Sequence, residues 1–434
     1  MPKDHSPALR RRIAVIGGGI AGMGAAYLLA RDHHVSLFEA EPRLGGHART
    51  VVAGKRGDQP VDTGFLVFNY ANYPRMTELF AELDVPVTKS NMSFGASIDG
   101  GRLEYGLASL DALFAQRRNA ANPKFLRMVR DILHFNKNGL RVAQEDRTRT
   151  TGQFLEALGT GDWFRDYYLL PLSGAIWSTP TQKIMDFPAH AMIQFFENHA
   201  LLSHTGQHQW YTVQGGSVQY VSRLETAMLG MGVDIRLKAP VQTVVRGAYG
   251  VRIKAWSGTW EDFDEVVFAT HSDDSLSMLG DATGLEQTAL GAVKYQPNDV
   301  VLHCDDSIMP RKRQTWSSWV YTEDRNARSD RIDLTYWINS LQPVPMDDPH
   351  FVTLNTKRTI RADKIYDQTV LRHPVYDLAA LAAQDTVKAM NGANNTWFCG
   401  AWMRHGFHED GYSSAVDVAD AILARDTAMQ VAAE

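Results

Sequence analysis

The sequence predicts an α/β protein in which a parallel sheet with covering helices is joined to a second, mixed α+β domain. Three observations predict it. A strand, a glycine turn, a helix and a second strand open the chain; 434 residues make two domains, built from interleaved segments, the default; and 44% hydrophobic with 21% charged residues is an ordinary globular composition. A net charge of −5 argues against a nucleic-acid partner, leaving a small-molecule or lipid substrate as the expected one. Cys304 and Cys399 form no CxxC pair, so neither a disulfide framework nor a zinc site is expected. A reducing, cytoplasmic setting follows as the expectation.

The opening unit is "IAVIGGGIAGMGAAYLLA", Ile13 to Ala30, eighteen residues without a charge behind Arg10, Arg11 and Arg12. Three readings compete for it: membrane anchor, export signal and nucleotide cradle. Five glycines make a poor spanning helix, since each weakens a helix by roughly 1 kcal/mol. An export signal calls for a small-residue cleavage site, whereas the run continues into more patterned sequence. The cradle fits better. Ile13 to Ile16 suits a buried parallel strand, and Gly17, Gly19 and Gly22 then spell GxGxxG before a helix from Ile20 to Arg31. Gly17 permits the turn, Gly19 lets backbone approach a pyrophosphate, Gly22 lets helix meet strand, and the amides of Ile20 and Ala21 face phosphate. A second strand, Val35 to Glu39, ends in a carboxylate twenty residues after Gly19, the place of a ribose-binding acid. The unit is Rossmann-like and does not by itself separate NAD from FAD.

Other segments decide that point by resemblance. In "EPRLGGHART", residues Arg43, Gly45, Gly46, Arg49 and Thr50 match the second glycine motif of the flavin-dependent amine oxidase and phytoene desaturase superfamily. "TWFCGAWMRHGFHEDGYSSAVDVADAIL", Thr396 to Leu423, resembles its flavin-contacting end: a strand, Gly400-Ala401, a loop, and a glycine opening the last helix. "GVDIRLKAPVQTVVR" resembles the strand pair that meets adenine around Val241, and "FDEVVFAT" the strand returning to the nucleotide domain. The resemblance implies FAD, a long cofactor gripped at two ends by remote segments. Its implied contacts add Ala40, His47, Thr63, Gly64, Asp410, Gly411 and Tyr412 to those above. It implies a last helix starting near Gly411, its N-terminal dipole turned toward the flavin. No metal site is expected.

The motif positions imply an FAD-binding domain of residues 1–90, 210–290 and 390–434 and a substrate domain of residues 91–209 and 291–389. Within the superfamily, "LPLSGAIWSTP", "LTYWINSLQ" and "GFHEDG" look most like a bacterial amine-oxidase-like subgroup often encoded beside cyclopropane-fatty-acid-synthase-like methyltransferases. That resemblance implies chemistry on modified acyl chains.

Two stretches of the substrate domain stand out in composition. Residues 163–211 carry ten aromatics, about a fifth against 10% for the chain, which favours an apolar cavity wall over core filling alone. From Gln116 to Arg141, Arg117, Arg118, Lys124, Arg127, Arg130, Lys137 and Arg141 oppose only Asp131, a local charge of +6. Interleaved Leu126, Val129, Ile132, Leu133 and Phe135 make it an amphipathic basic helix, either a solvated surface or a rest for anionic headgroups. "MPRKRQTW", Met309 to Trp316, is a second basic patch.

A flavin of this class takes hydride from a C–H bond while the protein positions and desolvates. The resemblance puts Phe407 among the rings framing the substrate and makes His408, beside Glu409, a proton-handling candidate. Amine oxidases hold a water through a strand lysine; here the stretch offers Lys294 and Asn298, and the better register puts the amide or Asp299 there. This departs from the amine oxidase pattern. His190, His199 and His204 read as hydrogen-bonded structural residues. The leading expectation is a dehydrogenase or desaturase of acyl chains; the alternatives are an amine or polyamine oxidase and a lipid-binding flavoprotein without turnover.

Overall fold

The computed structural model describes residues 10–433, apart from 178–180, 203–206, 257 and 325–330. His204 lies outside the described residues. Ile13, Ala14 and Val15 are fully buried, as strands covered on both faces must be, and they occupy the middle of a five-stranded parallel sheet. The spatial order is Thr396–Phe398, Glu265–Phe268, Arg12–Ile16, His34–Phe38, Asp234–Arg236. Three remote stretches of chain thus build one sheet. An antiparallel meander, Val241–Gly247, Gly250–Ala255 and Trp260–Phe263, lies beside it.

The helix Ile20–Leu29 is sandwiched between this sheet and the helix His408–Ala433. Glycines allow the sandwich. A Cβ on Gly22 would sit 1.8 Å from the Gly17 carbonyl oxygen, and one on Gly24 would meet the Tyr412 ring at 2.7 Å. The last helix begins at His408 rather than near Gly411, a correction with a local cause: Asp410 accepts hydrogen bonds from the amides of Phe407 (2.9 Å) and His405 (3.2 Å), the N-terminal cap of a helix starting one turn earlier. Gly411 is therefore a helix-interior residue, and its missing Cβ lets Ile20 approach.

The other sheet is mixed and seven-stranded: Ile365–Val375, Lys294–His303, Phe351–Leu354, Asp333–Trp337, Trp319–Glu323, Phe94–Ile98, Leu103–Gly106. Helices from residues 123–198 pack on it over the largest apolar core, which includes Phe125, Phe135, Phe164 and Phe196. The basic segment divides in two. Arg117–Ala121 is a 3-10 turn; Asn122 then accepts from the amides of Lys124 and Phe125, Pro123 takes the first helical position, and the helix runs Pro123–Glu145. No helix among the described residues is long and apolar enough to cross a membrane.

Candidate active site

One chamber of about 1610 Å³ runs between the two sheets. Its first end is made of backbone. Gly17 (φ +105°) and Gly45 (φ +106°) turn the chain there, the space a Cβ on Gly19 would take is open, and no side chain caps the helix opening at Ile20. Uncapped amides at a helix start favour an anion. Glu39 stands at the strand end, its carboxylate accepting from the amides of Gly18 (2.6 Å) and Glu41 (2.8 Å). Val241 and Ala40 border the same end. Arg43 donates to the carbonyls of Leu44, Gly46 and Ala48 within the second glycine turn, and the Gly45 amide donates to the Gly18 carbonyl (2.8 Å), which fixes that turn against the first. Open space, glycines and a terminal carboxylate fit a dinucleotide.

The middle of the chamber holds imidazoles. His47 donates Nε2–H to the Arg372 carbonyl (3.1 Å), with its ring 5.4 Å from His373 and 5.9 Å from His271. Burial holds all of these rings neutral: His47 is pushed below the ordinary value, and His271 and His373 are pushed down to about 3. A hydrogen-bond chain fixes which nitrogen of His373 carries the proton. The Asp299 amide must donate, so Asn355 receives it on Oδ1 and turns Nδ2 to Asn298 Oδ1 (2.7 Å). Asn298 Nδ2 then donates to Gln296 O and to His373 Nδ1 (2.8 Å), which leaves the proton on Nε2. Asp273 and Asp274, beside His271, are ion-paired with Arg372.

The far end is made of side chains. Leu172, Ile176, Trp177 and Leu201 come from the aromatic-rich region, Val129 and Ile132 from the basic helix, and Trp319 and Tyr336 from the large sheet. Of the ten aromatics between 163 and 211, Tyr168, Trp177, Phe195 and Trp210 line the chamber; others, such as Phe164 and Phe196, are core. Phe407 stacks on Phe195 at 5.0 Å and 15°, and Phe195 stacks in turn on His199 at 3.8 Å. His199 donates Nδ1–H to the Phe195 carbonyl (2.9 Å) and burial pushes its pKa down to about 4. Among the described residues, the carboxylates lining the chamber (Glu39, Glu41 and Asp274) stand at its nucleotide end and middle.

The structure brings together at the chamber wall Gly17, Gly19, Ile20, Ala21, Glu39, Ala40, Arg43, Gly45, Gly46, His47, Gly64, Val241, Gly400, Ala401, Phe407 and His408. His408 lies stacked on Phe65 at 4.0 Å, shares a 2.9 Å hydrogen bond with the Tyr220 hydroxyl, and is pushed down to about 3 by burial. Gly22, Thr63, Asp410, Gly411 and Tyr412 stand behind the residues that line the chamber. Thr63, for instance, donates to the Arg49 carbonyl, and Tyr412 packs under Gly24.

Asn298 does not line the chamber either. It is fully buried behind His373 and reaches the chamber only through that ring. Lys294 donates to the Gly291 carbonyl outside the chamber, and Glu409 accepts from the Arg75 and Met76 amides at another helix start. His373, His271 and Arg372 escaped sequence reasoning. Strand Ile365–Val375 pairs with Lys294–His303 across some seventy residues (Asn298 opposite Leu371), and no local pattern encodes that partner.

A chamber with uncapped amides at a glycine turn at one end and an apolar recess at the other defines a dinucleotide-dependent enzyme of two sheets. The particular family follows from sequence: flavin containing amine oxidoreductase matches residues 20–346, and the chain belongs to that family. It is an FAD-dependent oxidoreductase. An FAD-dependent oxidoreductase of Emericella nidulans, dbaF, is 38% identical over 98 residues, 22% of this chain and 20% of that protein. The curated match thus spans about a fifth of the relative's length. The fold is shared more widely. A CLA-producing fatty acid isomerase from P. acnes superposes with TM-score 0.67 at 14% identity, over 94% of this chain and 97% of its own. Cyclohexylamine oxidase from Brevibacterium oxydans does so with TM-score 0.66 at 13% identity, over 95% and 99%.

Proposed function

We propose that this oxidoreductase removes hydride from a C–H bond of a fatty-acyl chain, free or phospholipid-bound, as a dehydrogenase or desaturase of modified fatty acids. One observation carries the reading: the far end of the chamber is walled by leucine, isoleucine, valine and aromatic rings with, among the described residues, no lining carboxylate to hold an ammonium. Burying an unpaired cation there costs several kcal/mol, whereas methylenes gain about 0.8 kcal/mol each. The likeness of the fold to a fatty acid isomerase agrees with this reading, and the likeness to an amine oxidase agrees with the alternative.

In this reading the glycine turn and the first amides of helix Ile20–Leu29 hold the pyrophosphate, Glu39 the ribose, and the backbone around Val241 the adenine. The redox ring would lie along Gly46, His47, Gly400 and Ala401. When bound, FAD supplies the hydride acceptor. Phe407 and Phe195, stacked on one another, border the acyl chain, and the surrounding rings exclude water from it. His373 offers Nε2–H as a neutral donor, since its depressed pKa keeps it from gaining a second proton at neutral pH. The holoprotein should lose its oxidised flavin absorbance when an acyl lipid is added anaerobically. An unchanged spectrum with saturated, unsaturated and methyl-branched acyl lipids, beside bleaching by a polyamine, overturns the reading.

A further inference from the structure

Two basic stretches two hundred residues apart in sequence meet in space. The amides of Arg311 and Lys312 donate to the two carboxylate oxygens of Glu104 (2.8 and 3.0 Å), and Gln116 is tied to the same strand region through the Glu104 amide and the Gly101 carbonyl. Arg118 donates to the Arg102 carbonyl. Between them runs the segment 107–113, whose Leu107, Leu110 and Leu113 line the chamber while Leu110 is 77% exposed. A residue that lines a cavity and stands in solvent marks the mouth.

The helix Pro123–Glu145 continues this rim. At 3.6 residues per turn its edges follow one another around the axis: a core edge with Met128 and Phe135, a chamber edge with Val129, Ile132 and Asn136, then an exposed stripe of Leu126, Arg130, Leu133, Lys137 and Arg141. Leu126 and Leu133 are 43% and 53% exposed. The helix's only acid outside its last turn, Asp131, is buried, accepts from the Gly161 amide and lies 3.7 Å from Arg127 and 3.6 Å from Arg130, so it offsets part of their charge and leaves Lys124, Lys137 and Arg141 on the outer face beyond it. Asp111 is paired with Arg117 and Glu145 with Arg141. Exposed leucines ringed by arginine and lysine match a bilayer surface with anionic headgroups: apolar groups enter the acyl layer and cations stay at the phosphates.

We infer that the chamber opens onto an anionic phospholipid membrane, with Leu110 and Leu133 inserted and Arg117, Arg118, Arg130, Lys137, Arg311, Lys312 and Arg313 at the headgroups. The inference rests on the acyl reading for its purpose but not for its test. The purified holoprotein is sedimented with phosphatidylcholine vesicles and with vesicles in which phosphatidylglycerol replaces part of the lipid. Binding is expected only to the second, falling steeply with salt. Each basic side chain near such a surface is worth roughly fivefold in partition, so R130E/K137E should bind at least tenfold more weakly. L110S should lose the binding that survives in high salt.

Equal binding to both vesicles, no binding to either, or charge reversal without effect overturns the docking. Both variants are surface changes, and an unaltered melting temperature checks their folding. Flavin bleaching by acyl lipid in neutral detergent micelles is followed in parallel. Vesicle binding without bleaching in micelles removes the acyl reading and leaves the docking; bleaching without vesicle binding does the reverse.

Discussion

The two ends of the chamber are built by opposite means. At the nucleotide end the working groups are backbone amides, held by glycines of which Gly17, Gly18, Gly22 and Gly45 leave no room for a Cβ; at the far end they are side chains. Backbone geometry admits few substitutions, because main chain cannot retreat. A wall of apolar side chains tolerates exchange of shape but not of charge. The difference teaches where each kind of information sits: cofactor choice in a handful of positions with fixed spacing, substrate choice in an average over many residues.

The strongest test of that contrast is Gly22→Ala. The added methyl would lie 1.8 Å from a backbone oxygen, and overpacking of about 1–3 kcal/mol is a lower bound where the neighbour is main chain. The variant should purify colourless or unfold at markedly lower temperature, read from flavin absorbance per chain and a melting curve. A fully yellow, equally stable variant breaks the account of the cradle. Next in size is a charge in the apolar wall. Leu172→Asp should raise KM for an acyl substrate about 10- to 100-fold, the equivalent of roughly 1–3 kcal/mol for an unpaired polar group, while Leu172→Met stays within about threefold. Similar losses in both variants would mean that shape, not polarity, sets the preference.

The same contrast explains what was legible in the sequence. The cradle could be read because Gly17, Gly19, Gly22 and Glu39 stand at spacings that the backbone dictates, and the family motif around Gly45 and Gly400 extended it. Phe407 reaches the chamber for the same reason, being nine residues past a strand end and directly before the last helix. Asp410 and Tyr412 share that motif yet face elsewhere, since three-residue steps on a helix decide facing and the helix start lay one turn before the expected glycine. Asn298 was close in register but lies behind His373: a strand position names a neighbour, not the direction in which its side chain points. His373 and Arg372 belong to a strand whose partner is fixed by tertiary pairing. The convergence of the basic helix with Arg311–Arg313 depends on the buried carboxylate of Glu104, which no charge count reveals.

A smaller effect concerns pH. His271, His373 and His408 are held down to about 3 and His199 to about 4, whereas in the unfolded chain each titrates near 6.5. Below about pH 6.5 the unfolded state therefore binds protons that the folded state refuses, so stability present at neutral pH is lost as the pH falls toward these lower values. Each ring contributes up to about 1.4 kcal/mol per pH unit in that window. Asp62 acts in the opposite sense: burial raises it to about 6, so its share is present at low pH and lost on rising through that value. Urea unfolding at several pH values from 7.5 to 5 should show the net decline on acidification, and His373→Asn should flatten it by one ring's share. An unchanged slope would place His373 in contact with water in the folded state.

The finest test turns on one proton. Asn298 donates to His373 Nδ1 because Asn355, itself committed by the Asp299 amide, already occupies its Oδ1. In Asn298→Asp the side chain keeps an acceptor for Asn355 but loses its donor, so His373 must turn its own proton to Nδ1 and present a bare Nε2 at the chamber wall. The added charge also favours the imidazolium and raises the pKa. Nitrogen chemical shifts of labelled histidine should report Nε2 protonated in the natural chain and Nδ1 protonated in the variant, with the melting temperature lowered by burial of a carboxylate against the Gln296 carbonyl. Asn298→Ala, by contrast, strands the Asn355 amide without its acceptor and should lower stability by about 1–3 kcal/mol while leaving the tautomer mixed. If both variants keep the Nε2 proton, the chain of amides does not set it, and the middle of the chamber is organised from the cofactor side alone.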